Sequence, residues 1–445
     1  MTADTLRKLF HERYPSQSEP FVCRAPGRVN LIGEHMDYNG LPVLPMAIRQ
    51  EILIAFAPRT DSRVVMQNVE PRFSPVEFEN AATITRSAQG SWDNYTKAAF
   101  QKLNAELEPE HFPGVDMLVS STLPTAAGLS SSSALVVASA LVYLAVLDQI
   151  LEEDITRLEL ADMMAEAEHY VGTRGGGMDQ TCILNALDGH ACKIDFFPLR
   201  VEAPPIPEGA AIVVCDSTVK VEKSGDALLR FNRGPRFCAL GTALVERYLQ
   251  DAIDEDIEID RLGDIWLGPL CLTMDEGAGY IDAAIPEDRL TLAEIAKRLE
   301  MKPAKVASLY LEDMPEPEGG YPLRAMLRHQ YSEFARVELA RDALLANDTE
   351  EFGRLMNESH QSCADDFFIS SRELDALVGA AREAGALGSR LTGAGFGGAT
   401  VNLVPEQEVE RFVERVGQLY YRDFLGRDGE PPIFVAHPSD GAGYL

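Results

Sequence analysis

The period of the apolar positions changes several times along the chain, and the changes lay out strands and helices in turn. Residues 4–13 carry apolar side chains at the spacing of a short amphipathic helix, after which Phe21-Val22-Cys23-Arg24 read as a strand. The β-branched runs 50–57 and 62–67, each bounded by turn residues, predict two more strands. Helical spacing returns over 92–107. A strand over 115–120 leads into a loop at Pro124, and the apolar run 132–147 behind it predicts a buried helix. A further helix, 155–170, stops at Gly172; Gly175-Gly176-Gly177 opens another over 178–187, and 191–196 returns as a strand.

Pro198, Pro204, Pro205 and Pro207 then break the pattern, which predicts a domain boundary there: an N-terminal domain over 1–205 and a C-terminal domain over 206–445. The second half opens with a strand over 210–215. Its middle, 240–345, is mostly helical apart from a Pro/Glu/Gly-rich loop over 314–321. Helices over 350–360 and 371–384 follow, and Ser389-Arg390-Leu391, a glycine turn and 399–403 read as strand, tight turn, strand. No internal repeat is visible. Strands and helices mixed in this way, in two successive units, predict an α+β protein of two domains.

With 445 residues, 46% of them hydrophobic, each half is long enough to bury a core. The formal net charge of −30 argues against nucleic acid or an anionic membrane as a partner, since most of the surface repels both. A bound polyphosphate therefore has to be held by local dipoles and magnesium. The seven cysteines, at 23, 182, 192, 215, 238, 271 and 363, are scattered and form no C-x-x-C pair, so neither a disulfide framework nor a zinc site is indicated. The N-terminal residues lack the apolar stretch of a signal peptide, and the longest apolar run, 135–147, falls short of the ~20 residues that span a bilayer. These features predict a soluble, cytoplasmic protein, a monomer or a weak homodimer.

Three segments concentrate the chemistry. Arg24 to Tyr38 packs Arg28, Glu34, His35 and Asp37 into one glycine-bounded stretch. Pro124-Thr125-Ala126-Ala127-Gly128-Leu129-Ser130-Ser131-Ser132-Ser133 places small residues and hydroxyls in front of an apolar helix, where unpaired N–H groups and the positive dipole end suit an anion. It is not a P-loop, because the G-x-x-x-x-G-K-[ST] pattern and its lysine are missing. Gly393-Ala394-Gly395-Phe396-Gly397-Gly398 matches G-x-G-x-x-G but runs into a strand, where a dinucleotide-binding fingerprint requires a helix. Read from residue type alone, each segment also has a structural reading: a turn capping a core helix for the serines, a buried satisfied histidine for His35, a first-turn acid for Asp179.

In combination the segments resemble the GHMP kinases, and within them the galactokinase branch, whose G-R-x-N-L-I-G-E-H-x-D-Y-N-G signature is matched from Gly27 to Gly40. The resemblance continues through Trp92-Asp93-Asn94-Tyr95, the serine loop, Gly176-Gly177-Met178-Asp179-Gln180, Met356-Asn357-Glu358-Ser359-His360 and the last glycine turn. It implies a ribosomal-S5-domain-2-like N-terminal domain, a ferredoxin-like C-terminal domain and a site in the cleft between them. It further implies a kinase that phosphorylates the C1 hydroxyl of galactose with ATP, Mg2+ being the cofactor.

By the family pattern, Asp179 faces the sugar C1 hydroxyl as base or electrostatic orienter. Arg28 stabilises the transferring phosphoryl group and keeps Asp179 ionised. The sugar is held by Glu34, His35, Asp37, the Gly176 backbone and position 231. ATP lies on Ala126, Ala127, Gly128, Leu129, Ser130, Ser131, Ser132 and Ser133. Magnesium is expected on Ser132, with Ser131 in competition, and on Glu168. Gly395, Gly397 and Gly398 form a backbone wall.

The match loosens at Arg230-Phe231-Asn232-Arg233-Gly234-Pro235-Arg236, where many galactokinases have Tyr-Asn-x-Arg-Arg. Phe231 has no hydroxyl for the sugar, and Gly234-Pro235 replaces a basic pair. Other details, the stretches from Gly172 to Asp179 and from Ser130 to Ala134, His329-Gln330-Tyr331-Ser332-Glu333 and Phe231-Asn232, are similar to the N-acetylgalactosamine kinase and plant galactokinase subgroup, so that N-acetylgalactosamine, L-arabinose and galacturonate stand beside galactose as substrates. A catalytically silent sugar- and ATP-sensing regulator is the reading from another class.

Overall fold

The strand entering the first motif runs on as β1 (Phe21–Ile32), almost wholly buried, and pairs antiparallel with β2 (Leu44–Pro58) from Phe21↔Phe56 to Ile32↔Leu44. The register shifts between Pro26 and Gly27, at a proline that has no N–H for the ladder, and again between Asn30 and Ile32. The structure, a computed structural model, describes residues 1–15, 19–124, 128–173, 175–219, 226–253, 256–312 and 314–445, the side chains of 226–231 excepted. With β3 (Arg63–Asn68), β4 (Val76–Glu79), β5 (Val115–Ser121) and β12 (Gly443–Tyr444) the first sheet has the order β12-β1-β2-β5-β3-β4, parallel only between β3 and β5.

Period-two alternation sorts this sheet's two faces. Leu53, Ala55 and Ala57 of β2 turn to α1 (Ala3–Arg13), where Leu6 and Phe10 cover them. Ile52, Ile54 and Phe56 turn the other way, into the main core with α2 (Asp93–Leu107), α3 (Ser131–Val146), α4 (Arg157–Ala167) and α5 (Met178–Asn185). Helix α3 is apolar all round because it is surrounded: every residue from Ser133 to Leu144 is buried. The hairpin β6 (Lys193–Asp195) and β7 (Arg200–Glu202) closes this half.

The second sheet, β11 (Ile433–Val435), β8 (Ala210–Asp216), β10 (Ala399–Pro405) and β9 (Gly388–Thr392), has that order and is antiparallel throughout. Its outer face packs on α13 (Arg372–Glu383) and α14 (Val409–Val416). Its inner face, with Val214, Val401 and Leu403, joins the main core of the first half. Between β8 and β9 the chain forms α6 (Asp226–Ala252), α7 (Asp264–Leu267), α8 (Met274–Ala284), α9 (Leu292–Arg298), α10 (Pro303–Val306), α11 (Leu323–Leu345) and α12 (Thr349–Asp365). Helices α4, α8 and α9 start on reciprocal capping boxes, Thr156/Glu159, Thr273/Glu276 and Thr291/Glu294.

The mixed α+β architecture read from the sequence is present, with two sheets each backed by helices. The extent of the second unit needs correction at its end. Residues 439–445, assigned by the boundary to the second domain, return to the first sheet, where β12 pairs with β1. A two-residue strand carries no period, so its destination is set by contacts the pattern does not show. Arg24 Nη2 donates to Ser439 Oγ at 2.7 Å, Arg157 Nη1 to the Ala442 carbonyl at 2.7 Å, Tyr444 Oη to the Leu141 carbonyl at 2.7 Å and the Leu445 N–H to the Val22 carbonyl at 2.9 Å. Gly441 and Ala442 donate to the Ala186 and Ile183 carbonyls. At about 1 kcal/mol net for each such bond, a chain stopped after Pro438 is expected to lose on the order of 5 kcal/mol of stability, read from its urea midpoint.

Candidate active site

The N-terminus of α3 sets one wall of a cleft of about 490 Å3 between the two halves. Ser130 is the N-cap residue of α3, in the left-handed conformation at φ 55°, so the helix proper begins at Ser131. That start turns Ser133 inward, where its Oγ donates to Glu168 Oε1 at 2.5 Å, while Ser131 and Ser132 line the cleft. The hydroxyl that meets Glu168 is thus Ser133, while Ser132, expected on magnesium with Ser131 in competition, is part of the cleft lining. Ala126 and Ala127 lie outside the described residues.

Arg28 and Asp179 meet on the cleft floor. Arg28, on β1, donates from Nε to Asp179 Oδ1 at 2.7 Å and from Nη1 to the Gly128 carbonyl at 2.7 Å. Asp179, in the first turn of α5, accepts on Oδ2 from Ser130 Oγ at 2.5 Å. Burial works against the Arg28 charge, but Asp179 and Glu34 outweigh it, and its pKa stands above the ordinary arginine value. Glu168 is buried beside this pair and also accepts from Gln180 Nε2 at 2.9 Å.

The sugar-signature residues line the cleft opposite α3. His35 holds a left-handed backbone, φ 60°, with Nε2 3.2 Å from the Ala394 carbonyl and Nδ1 3.0 Å from Tyr38 Oη. A carbonyl only accepts, so Nε2 carries the hydrogen and the tyrosine hydroxyl donates to Nδ1. Burial lowers the His35 pKa to about 4, which leaves the ring neutral at pH 7. Asp37 Oδ2 accepts from the Gly176 N–H at 3.0 Å and the Met178 N–H at 3.3 Å. Burial first, and then the nearby Asp179, raise the Asp37 pKa.

Gly176 was expected to offer its backbone to the sugar. Its N–H is instead taken by Asp37, and a Cβ there would stand 2.2 Å from the Tyr38 nitrogen, so glycine is what lets the two loops touch. Gly393, Gly395 and Gly397 line the cleft, but Gly398 does not: its N–H goes to the Val219 carbonyl, and its own carbonyl accepts from Ser217. Phe231 lies in α6 at a position whose side chain is not described. The glycine at 234 has a steric reason. A Cβ on Gly234 would lie 3.0 Å from Tyr38 Oη and 3.1 Å from the Phe367 ring, the groups that pack around His35.

Behind the sugar loop lies an ionic network that sequence reading missed. Arg390 on β9, fully buried, donates from Nη1 to the Asn30 carbonyl at 3.0 Å and to Glu34 Oε1 at 3.3 Å. Glu34 Oε1 also accepts the Gly393 N–H at 2.8 Å. On α11, Glu333 accepts the Gly33 N–H at 2.8 Å and pairs with Arg336 at 2.7 Å; although burial opposes its charge, Arg336, His329 and Arg390 bring its pKa down to about 2. His329 Nε2 lies 3.0 Å from the Glu34 carbonyl. Burial raises the Glu34 pKa, with Arg390 and Arg28 pulling the other way.

A second lobe of the cleft, lined by Asn68, Arg72, Phe73, Trp92 and Tyr95, is rich in aromatic side chains. The Phe73 and Trp92 rings lie 5.8 Å apart, and Trp92 Nε1 is anchored on the Ser74 carbonyl at 3.1 Å. No group of three or more His, Cys, Asp or Glu side chains among the described residues could hold a metal alone. Glu168 and Ser133 still suit magnesium, which takes one or two protein oxygens and completes its shell on substrate phosphates and water.

A cleft of this kind, with a helix N-terminus facing an Arg–Asp pair and a polar loop, defines a small-molecule kinase, and the comparisons with known proteins agree. The family models for the galactokinase galactose-binding signature, the GHMP kinases N terminal domain and the GHMP kinases C terminal match residues 8–58, 94–186 and 340–422. A galactokinase of Roseiflexus sp. is 35% identical, over 98% of this chain and 96% of its own length. One from Dictyostelium discoideum is 30% identical, over 95% and 88%. The crystal structure of Lactococcus lactis galactokinase complexed with galactose superposes with a TM-score of 0.80 at 26% identity, covering 99% of each chain. Methanococcus jannaschii mevalonate kinase, at 15% identity and a TM-score of 0.59 over 96% of this chain and 99% of its own, shares the fold. The chain belongs to the galactokinase branch of the GHMP kinase family.

Two stability tests follow from the buried charges. Arg390→Met leaves Glu34 and Glu333 without their shared cation and is expected to cost about 3–5 kcal/mol in chemical denaturation. His360, whose pKa burial lowers to about 4, is neutral when folded but gains a proton near pH 6.5 when unfolded. Its contribution is therefore intact above pH 6.5 and lost as the pH falls toward 4. His360→Gln keeps an acceptor for the Leu391 N–H and cannot titrate, so between pH 7 and 5 it is expected to lose about 2 kcal/mol less stability than the wild type.

Proposed function

We propose that this galactokinase-family chain transfers the γ-phosphoryl group of ATP to the C1 hydroxyl of galactose, giving α-galactose 1-phosphate, and that Arg28 and Asp179 carry the step. The observation that carries the reading is the Arg28–Asp179 pair itself, held at 2.7 Å on the cleft floor between the free N-terminus of α3 and the Glu34–His35–Asp37 loop. The adenine lies against Phe73 and Trp92. The phosphates lie at the N–H groups of α3, where the helix dipole and the serine hydroxyls replace the lysine that the loop lacks.

Phosphoryl transfer asks the protein for alignment and charge neutralisation more than for covalent help. Asp179 accepts from the sugar C1 hydroxyl and points its lone pair along the line of attack. Arg28, locked on Asp179 and the Gly128 carbonyl, presents its positive charge where the equatorial oxygens of the phosphoryl group gather negative charge. A carboxylate that already accepts from an arginine and a serine is a weak base, so it orients the hydroxyl first and receives the proton as the bond to phosphorus forms. Glu168 and Ser133 would hold Mg2+, which when bound neutralises charge on the ATP phosphates. Neutral His35 and the carboxylates of Glu34 and Asp37 select the sugar by which hydroxyls they can pair.

The test is ADP release from Mg-ATP with galactose, N-acetylgalactosamine, glucose, L-arabinose and galacturonate, the phosphorylated carbon being located by phosphorus-coupled NMR. Galactose is expected to turn over at C1, and Asp179→Asn to lower kcat at least a thousandfold with the fold intact by circular dichroism. Faster turnover of N-acetylgalactosamine moves the substrate assignment. ATP binding with no turnover of any sugar identifies a silent sensor instead.

A further inference from the structure

The serine that opens α3 is spent in an unusual way. Serine is among the best N-cap residues because its hydroxyl satisfies a free N–H in the first turn. Thr2, Thr156, Thr273, Thr291, Asp348 and Ser371 all do this for their own helices. Ser130 does not: it makes no side-chain cap bond, and it holds a left-handed backbone, φ 55° and ψ 38°, that a β-carbon disfavours. Two local costs at one residue of a cleft loop point to a function that outweighs them.

That function is visible in where the hydroxyl goes. Ser130 Oγ donates to Asp179 Oδ2 at 2.5 Å, while Arg28 Nε and Nη2 both stand 2.7 Å from Oδ1. The carboxylate is therefore gripped at both oxygens. Ser133 is a poor substitute for this grip, since it lies 3.3 Å from Oδ2 and its short bond goes to Glu168. The same choice leaves the first N–H groups of α3 uncapped and facing the cleft, where an anion can take them.

We propose that Ser130 is a positioning residue for the transfer, fixing the plane of the Asp179 carboxylate so that Oδ2 meets the sugar C1 hydroxyl in line with the phosphate. It rests on the reading of Asp179 given above. Because Ser130 acts on orientation and not on ground-state binding, its loss appears in kcat and spares KM. The decisive pair is Ser130→Gly, which removes the hydroxyl and relieves the backbone, and Ser130→Ala, which removes the hydroxyl and keeps the strain.

Steady-state kinetics with galactose and Mg-ATP are expected to show kcat about tenfold lower in both variants, with KM for either substrate within twofold of wild type. Wild-type kcat in Ser130→Gly overturns the proposal, and assigns any loss in Ser130→Ala to the backbone. A KM for ATP that rises as much as kcat falls, or more, also overturns it, by placing the hydroxyl on the phosphates. Asp179→Asn in the same assay separates the two levels of the argument. Its retaining turnover removes the reading of Asp179, whereas its inactivity beside a fully active Ser130→Gly removes the role of Ser130 alone.

Discussion

The site depends on one buried cation. Arg390 leaves the second sheet and enters the back of the sugar loop, with Glu34 and the Asn30 carbonyl on one side and the charge of Glu333 on the other. Glu34 has its pKa raised by burial and pulled back down by Arg390, with Arg28. Through the same oxygen it holds the Gly393 N–H, so the sugar loop and the glycine turn share one carboxylate. Glu333 repeats the device from α11, accepting the Gly33 N–H. Buried ion pairs of this kind add little net stability, since desolvation offsets attraction. What they fix is geometry: the loop that carries His35 and Asp37 has its backbone tied to both β9 and α11.

In a chain of net charge −30 the cleft keeps its positive character local, as the proposed binding of ATP requires. Arg28 is the cation on the cleft floor, and the N-terminus of α3 supplies dipole and N–H groups with no net charge. The acids around it are each given a partner that limits repulsion. Asp179 has Arg28 and Ser130, Glu168 has Ser133 and Gln180, and Asp37 has two backbone N–H groups. Magnesium on Glu168 would finish the neutralisation at the point where ATP enters.

Much of this was legible in the sequence, because the motifs put chemistry into short runs. Arg28, the Glu34-His35-Asp37 cluster, the serine loop, Glu168 and Asp179 all line one cleft, as their clustering and family likeness suggested. The errors were of two physical kinds. One was local backbone conformation: Ser130 adopts a left-handed backbone, which no spacing of residue types marks. The other was distance along the chain. Arg390, Glu333 and His329 lie some 300 residues from Glu34; the stretch from His329 to Glu333 stood out only as family likeness, with nothing local to tie it to Glu34, and β12 is too short to have a period. The aromatic lobe was half visible, since Trp92 was noticed as likeness while Phe73 sits in an unpatterned loop.

The three cleft loops have one further thing in common. Each contains a non-glycine residue at positive φ: His35 at 60°, Ser130 at 55° and Phe396 at 61°. Such conformations cost on the order of 1 kcal/mol each and persist only where the surroundings over-determine them. Here they do. His35 is held by Tyr38 and the Ala394 carbonyl, Ser130 by Asp179, and Phe396 by its N–H on the Ile369 carbonyl. Only the restraint from His35 to the Ala394 carbonyl crosses between halves of the molecule, so the loop that carries His35 reaches this shape only when both halves are folded and docked. At His35 the strain therefore ties the shape of that loop to the docking of the two halves, whereas Ser130 and Phe396 are held by partners in their own half.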